Sequence, residues 1–307
     1  MDSPAVPRFR TRGYGPWWIT TLLLSASTGS VAATFTPEVD ASAAWVSESN
    51  LVLSESDVVS RKGDQSINAD LVVGVSGQAD NGWNFSAHYN GSSTRYQELT
   101  EFNLLTHLLM GNASYDLDNV SLGMEGYTAK AYLDGSDYLT IAQFTPNLSA
   151  MISDHLFFYG ATGYSRRDFD LQPERSSSGP VLNLRFYYLL DGLNHHLLLA
   201  YHGRDTSASD DSFDAKVEQL SLEWSRRLQW WQRPVEVSVA TGYQSQRYHR
   251  QQPVRKDLLW EIEAEARMDL KWQLYGEAVA AYTRNDSTED DLNYDQNRFE
   301  LRLGYRL

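Results

Sequence analysis

The sequence predicts an all-β fold, a transmembrane antiparallel up-and-down β-barrel of about 14 strands, within roughly 12 to 16. Three observations predict it. Apolar and polar residues alternate along nearly the whole chain, as they do where successive side chains project to opposite faces of a strand. No segment, the short apolar stretch at the amino terminus included, reaches the roughly 20 apolar residues that a spanning helix needs. Short and long connections take turns between the strands, the asymmetry of a barrel with tight turns at one end and loops at the other.

The elements follow in chain order. Arg8, Arg10 and Arg12 precede an apolar stretch that begins at Trp17 and reaches Leu24, and Val31, Ala32 and Ala33 put small residues before Thr34. This is the layout of a cleaved secretory signal, so 1–33 is expected to be removed and 34–307 to form the barrel. Strands are expected at 39–47, 67–76, 83–96, 105–117, 120–132 and 138–152, the last carrying Pro146. Leu156, Phe158, Gly160, Thr162 and Tyr164 share the face of the next. Leu182, Leu184, Phe186, Tyr188 and Leu190 then oppose Asn183, Arg185 and Tyr187, and Leu197, Leu199 and Tyr201 oppose His196, His202 and Arg204.

The register continues toward the carboxyl end. Leu220, Leu222 and Trp224 alternate with Gln219, Ser221 and Glu223, and Val235, Val237, Val239, Thr241 and Tyr243 with Glu236, Ser238 and Gln244. Leu258, Trp260, Ile262, Ala264, Ala266, Met268 and Leu270 against Glu261, Glu263, Glu265, Arg267 and Asp269 make the clearest strand. Trp272, Leu274, Gly276, Ala278, Ala280 and Tyr282 oppose Tyr275, Glu277 and Thr283 after a connection short enough for a tight hairpin. Phe299, Leu301, Leu303, Tyr305 and Leu307 finally share one face and Glu300, Arg302 and Arg306 the other.

Tight connections are expected at 79–82, 116–119, 153–155, 191–194 and 269–271, and longer polar ones at 48–65, 98–103, 168–179, 205–214, 250–256 and 284–295. An even number of strands puts both termini at the tight-turn end, which in this class faces the periplasm. Closure itself follows from the backbone, because every amide in hydrocarbon must find a partner within the protein and an open sheet edge cannot. A soluble β-sandwich alternates too. Strands of about ten or more residues, the aromatic-rich closing strand and the turn asymmetry favour the barrel.

Composition narrows the partners. The formal charge is -14, and removal of the leader, with its three named arginines and Asp2, makes the chain more acidic still. No basic footprint for nucleic acid exists, nor a polybasic patch for anionic membranes. With Cys 0 there is no disulfide framework, lipidated cysteine or thiolate site. The 18 Tyr and 9 Trp suit aromatic girdles at membrane interfaces or a sugar-binding surface.

On this alternation, leader and aromatic content the chain resembles a bacterial outer-membrane β-barrel of the porin-like group. The closing hairpin, from Tyr282-Thr283-Arg284-Asn285 through Tyr294-Asp295-Gln296-Asn297-Arg298 to Leu307, is also similar to that of barrels in the surface lipoprotein assembly modifier family. No helical-repeat pattern of the kind that precedes those barrels is read in this sequence. The resemblance implies a Gram-negative outer membrane, contact with its lipid and lipopolysaccharide, and insertion by the barrel-insertion machinery. It further implies that Phe299, Leu301, Leu303, Tyr305 and Leu307 form the insertion signal, with Leu307 where most such barrels end in an aromatic residue.

If the apolar set faces lipid, the lumen receives Glu236, Glu261, Glu263, Glu265, Glu277 and Glu300, with Arg267, Arg302 and Arg306 nearby. An open lumen with that wall would concentrate cations. Alternatively, Glu and Arg on adjacent strands pair and the lumen is narrow or plugged. The expected function is passive diffusion of small hydrophilic solutes or ions, mildly cation-favouring, without cofactor or metal. The rival is a non-conducting structural, assembly or surface-export barrel that binds a partner protein or polymer, and inward folding of 48–65 would favour it. No nucleophile motif marks an enzyme: the nearest candidate, His202-Gly203-Arg204-Asp205, lacks an identifiable partner, and His195 and His196 point to opposite faces. Asp286, Glu289, Asp290, Asp291 and Asp295 form an acidic loop without calcium-loop spacing.

Overall fold

The computed structural model describes residues 33–307, so the leader expected at 1–33 lies outside them apart from Ala33. Fourteen strands close into one antiparallel barrel. In chain order the ring contains β1 (Ala33–Glu48), β4 (Asp64–Ala79), β5 (Trp83–Tyr96), β6 (Leu104–Leu117), β7 (Val120–Leu133), β8 (Ser136–Ser153) and β9 (Leu156–Phe169). It continues through β10 (Ser177–Asp191), β11 (His195–Ala208), β12 (Ala215–Trp230), β13 (Arg233–Tyr248), β14 (Arg255–Asp269), β15 (Leu274–Ser287) and β16 (Tyr294–Arg306). Two short strands, β2 (Val52–Leu53) and β3 (Val58–Val59), pair only with each other in the β1–β4 connection.

Burial is inverted relative to a soluble protein, as the alternation requires. Leu303 is 55 % exposed and its neighbours Leu301 and Phe299 are exposed as well, whereas Glu300 is 1 % exposed. The apolar sets of the other strands face outward in the same way, including Leu220 and Leu222, Leu182 and Tyr188, and Trp260 and Ile262. The solvent for this outer surface is hydrocarbon, so the usual rule of apolar inside is exchanged for lipid outside and polar lumen.

Closure is made by β1 and β16, from Asp40 opposite Arg306 to Glu48 opposite Arg298. The first residues of β1 extend past the end of β16 and pair with β4 alone. Pro37 lies in that stretch, where a residue without an N–H is tolerated on an unpaired edge.

The two ends differ as the connection lengths foretell, with one exception. Asp134 and Gly135 alone link β7 to β8, a two-residue turn at the end that otherwise carries loops. Both have positive φ, 47° and 80°, as a type I′ hairpin turn demands. At the opposite end two hairpins use Trp and Gln in the same left-handed positions: Trp231 and Gln232 between β12 and β13, and Trp272 and Gln273 between β14 and β15. Trp272, expected within a strand, is therefore in the turn and 83 % exposed. Strand alternation cannot place it, because two successive positive φ values reverse the chain before the ladder resumes at Leu274.

The loops are built, not slack. Those after β5, β9, β11 and β15 each contain one 3-10 turn followed by Asn103, Ser176, Asp214 or Asn293. The side chain of each of these residues accepts the backbone N–H at the end of the incoming strand, from Tyr96, Phe169, Ala208 and Ser287 respectively. A short polar side chain thus replaces the ladder bond lost where the hairpin opens.

Candidate functional site: the lumen and its inward strap

The β1–β4 connection folds into the barrel. Its base is zipped by Ser60 N donating to Leu51 O at 2.9 Å and Leu51 N to Lys62 O at 3.2 Å. Its tip, a 3-10 turn at Ser54–Ser56, reaches the far wall. There Glu55 pairs with Arg167 of β9 at 2.5 Å, and the Ser56 and Tyr138 hydroxyls lie 2.8 Å apart. In a ring of fourteen, β9 stands six strands from β1 in one direction and eight in the other. A segment tethered to β1 and β4 that touches β9 has therefore crossed the lumen.

Asp57 fixes the strap from a second side. Arg255 of β14 donates Nη1 to Oδ2 and Nη2 to Oδ1, both at 2.7 Å, and Arg175 Nη2 donates to Oδ2 at 2.6 Å. Two guanidiniums on one carboxylate form a strong, directional clamp. Arg255 also holds Asp257 and stacks over Tyr248, and Arg175 stacks over Phe213, so both clamp arms are themselves positioned. Burial raises the Asp57 carboxyl, but Arg255 and Arg175 outweigh it and hold Asp57 below its ordinary value. Glu55 is likewise lowered, because Arg167 and Arg204 overcome its desolvation.

The nine expected pore-lining residues, Glu236, Glu261, Glu263, Glu265, Arg267, Glu277, Glu300, Arg302 and Arg306, occupy the inward-facing register positions of β13 to β16. Many do not stand as a free acidic wall. Glu300 is held by Arg298 and by Arg302, whose Nε donates at 2.8 Å, and Arg302 also pairs with Asp70 and approaches Glu277 at 3.5 Å. Arg267 and Glu277 are 3.9 Å apart, as are Arg298 and Glu263, and Arg306 Nε donates to Asp40 at 2.8 Å. Together the pairs make a ladder over β14, β15, β16 and β4, with Arg306 and Asp40 a separate pair between β16 and β1. Glu236 accepts from the Ser225 hydroxyl at 3.4 Å. Phe299, Leu301, Leu303, Tyr305 and Leu307 are all exposed on the outer face.

Opposite this ladder lies a wall not singled out from the sequence. Arg167, Arg185 and Arg204 occupy inward register positions of β9, β10 and β11, and Glu125 of β7 accepts from Tyr159 at 2.8 Å and Thr145 at 3.2 Å beside them. Toward the loop end, Leu108, Met110, Leu139, Ile141 and Phe169 form an apolar cluster within the barrel. The same alternation that marked the carboxylates contained the signal for these residues. His202, the enzyme candidate, faces inward beside Asn183, 2.8 Å away, rather than toward lipid. Asp286 pairs with Arg284, Asp295 accepts from Tyr282, and no group able to hold a metal exists among the described residues.

A closed fourteen-strand barrel with apolar exterior and charged interior decides the class. The fold is that of a bacterial outer-membrane β-barrel. Among solved structures this barrel is similar to a bacterial polysaccharide outer membrane secretin, with a TM-score of 0.51 and 10 % identity over 88 % of this chain and 98 % of that one. It is also similar to a loop-deleted OmpT of Vibrio cholerae (TM-score 0.47, 7 % identity, 90 % and 100 % covered) and to OccK2 (OpdF) of Pseudomonas aeruginosa (0.43, 10 %, 89 % and 97 %). These identities speak to the barrel fold alone. No family model and no curated protein matches the sequence.

Proposed function

We propose that this outer-membrane barrel is a diffusion channel for small hydrophilic solutes or ions, constricted by the strap and mildly cation-favouring, with both termini in the periplasm. The observation that carries the reading is how the strap is held: its side-chain contacts with the wall and the β9–β10 loop include ion pairs and a hydroxyl pair. Such contacts exchange with water and ions, unlike an apolar plug, whose removal would expose greasy surface. Glu261, Glu263 and Glu265, successive inward residues of one strand, support the cation preference. The Glu300 and Arg302 pairing keeps it modest.

The second reading is a non-conducting barrel that binds a partner protein or polymer. The inward fold of the strap favours it, together with the apolar cluster near Tyr138. Single-channel recording in a planar bilayer under a KCl gradient separates the two. Stable conductance with a reversal potential toward K⁺, reduced when Glu261, Glu263 and Glu265 are replaced by Gln, is expected of the channel. A folded barrel that stays silent, both as wild type and with Asp57→Ala to free the strap, would sink the channel reading.

A further inference from the structure

On the outside of the barrel, the low wall left by the β7–β8 turn exposes a recess of about 180 Å³ lined by Arg95, Asn103, Leu105, His107, Tyr132 and Gly135. Arg95 occupies an outward position of β5, since its register partner Ile67 is an exposed apolar residue of β4. It lies near the loop end, where the strand gives way to the β5–β6 loop. Arg95 makes no hydrogen bond or ion pair with any other described residue. In a chain of net charge -14, an uncommitted guanidinium on the lipid-facing side is unexpected.

Its surroundings are ordered and amphipathic. The Tyr89 hydroxyl and His107 Nδ1 are 2.7 Å apart, the His107 ring meets the edge of Tyr132 at 6.0 Å, and Lys130 sits over the Tyr132 ring at 5.1 Å. Lys130 is committed to Asp137 at 3.1 Å. Glu98, Glu101 and Asp134 belong to the adjoining loop and turn, so Arg95 is the cation left to take an external anion from the lipid side. Tyrosine and histidine at this depth suit the boundary between acyl chains and headgroups.

We propose that this recess binds the phosphorylated sugar headgroup of a membrane glycolipid, with Arg95 on a phosphomonoester and Tyr132 and Leu105 against the sugar and the first methylenes. The assignment rests on the reading that the loop end faces out of the cell, into the leaflet that carries lipopolysaccharide. The Asp134 and Gly135 turn is what makes the site reachable, because a longer loop here would stand over the recess.

The test uses the purified barrel in detergent, titrated with fluorescent bisphosphorylated lipid A. Arg95→Ala is expected to weaken binding about fivefold, the effect of one cationic side chain near an anionic surface, and Arg95→Lys to weaken it less. Fully dephosphorylated lipid A should bind the wild type as weakly as the phosphorylated lipid binds Arg95→Ala. Equal affinity of wild type and Arg95→Ala, with both showing folded-barrel migration on unheated gels, overturns the proposal. Displacement of the lipid by inorganic phosphate alone would assign the site to a free anion and overturn it too. Orientation is read separately: Glu101→Cys in this cysteine-free chain should react with a membrane-impermeant maleimide on intact cells, and failure there would strike the orientation and not the detergent measurement.

Discussion

On one side of the lumen, between β14 and β4, charges find their partners on the same strand or no more than two strands away, whereas on the other, from β9 to β11, Arg167 finds its carboxylate only on a loop that has crossed from β1. The first arrangement is local in the ring and belongs to the barrel itself. The second exists only while the strap is docked. The same ion-pair chemistry therefore appears in two settings: between strands at the closing seam, and between the wall and a strap that lies outside the sheet.

The largest effect is expected on the seam. Glu300→Ala leaves Arg298 and Arg302 without their shared carboxylate, and breaking a buried pair from one side costs about 3–5 kcal/mol. Part of that will be recovered by lumen water and by Asp70, so a loss near the lower bound is expected, read as the midpoint of unfolding in urea with lipid present. If Glu300→Ala is as stable as wild type, the ladder does not staple the seam and the distinction between the two walls falls.

Asp57→Ala should act on the opposite property. Unfolding is expected to change by less than about 1 kcal/mol, since no barrel ladder bond involves Asp57, while conductance rises and a protease newly cuts within 54–62. Unchanged conductance and protection would mean that Glu55 and Ser56 hold the strap alone.

Acid should mimic this substitution. Asp57 and Glu55 have depressed pKa values when docked, so their contribution is complete above the ordinary carboxylate range, about pH 4, and is lost as pH falls through the lower docked values. The strap is expected to stay closed from neutral pH down to about 4 and to open below it. Conductance titrated in the bilayer checks the sign: opening on going from pH 7 to 5 would point to another group.

The smallest effect is expected outside both networks. Arg166 and Asp168 pair on the exterior at 2.8 Å, both well exposed. Arg166→Ala should leave the unfolding midpoint where it is in the wild type, because a solvated surface pair contributes little, which makes it the control for charge removal as such. A loss comparable to that of Glu300→Ala would show that position in the lumen is not what makes the ladder strong.

The alternation of residues such as Leu301 with Glu300 and Ile262 with Glu263 was sufficient to give the barrel, a count of about 14 strands, and the face of the residues that do lie in strands, though not the turn position of Trp272, because in hydrocarbon a strand has one permissible solution: paired backbone, apolar exterior. The same reading named Arg185 and Arg204 but not Arg167, and gave no reason to group them, since period two states the face of a residue and not its height or its neighbour across the ring. Nor did loop length reveal direction. The 48–65 segment looked like other long polar connections, and only the closed ring placed Arg167, Arg175 and Arg255 where Glu55 and Asp57 could reach them. The two-residue β7–β8 turn is marked by its Asp134-Gly135 dipeptide, which favours the two positive φ values of a type I′ hairpin, and not by the strand periodicity. Which solvent each strand face meets is therefore written in the order of residues. Tertiary closure alone decided which charges meet each other, because strands distant in sequence become neighbours, or opposite walls within reach of one loop, only when the sheet joins its ends.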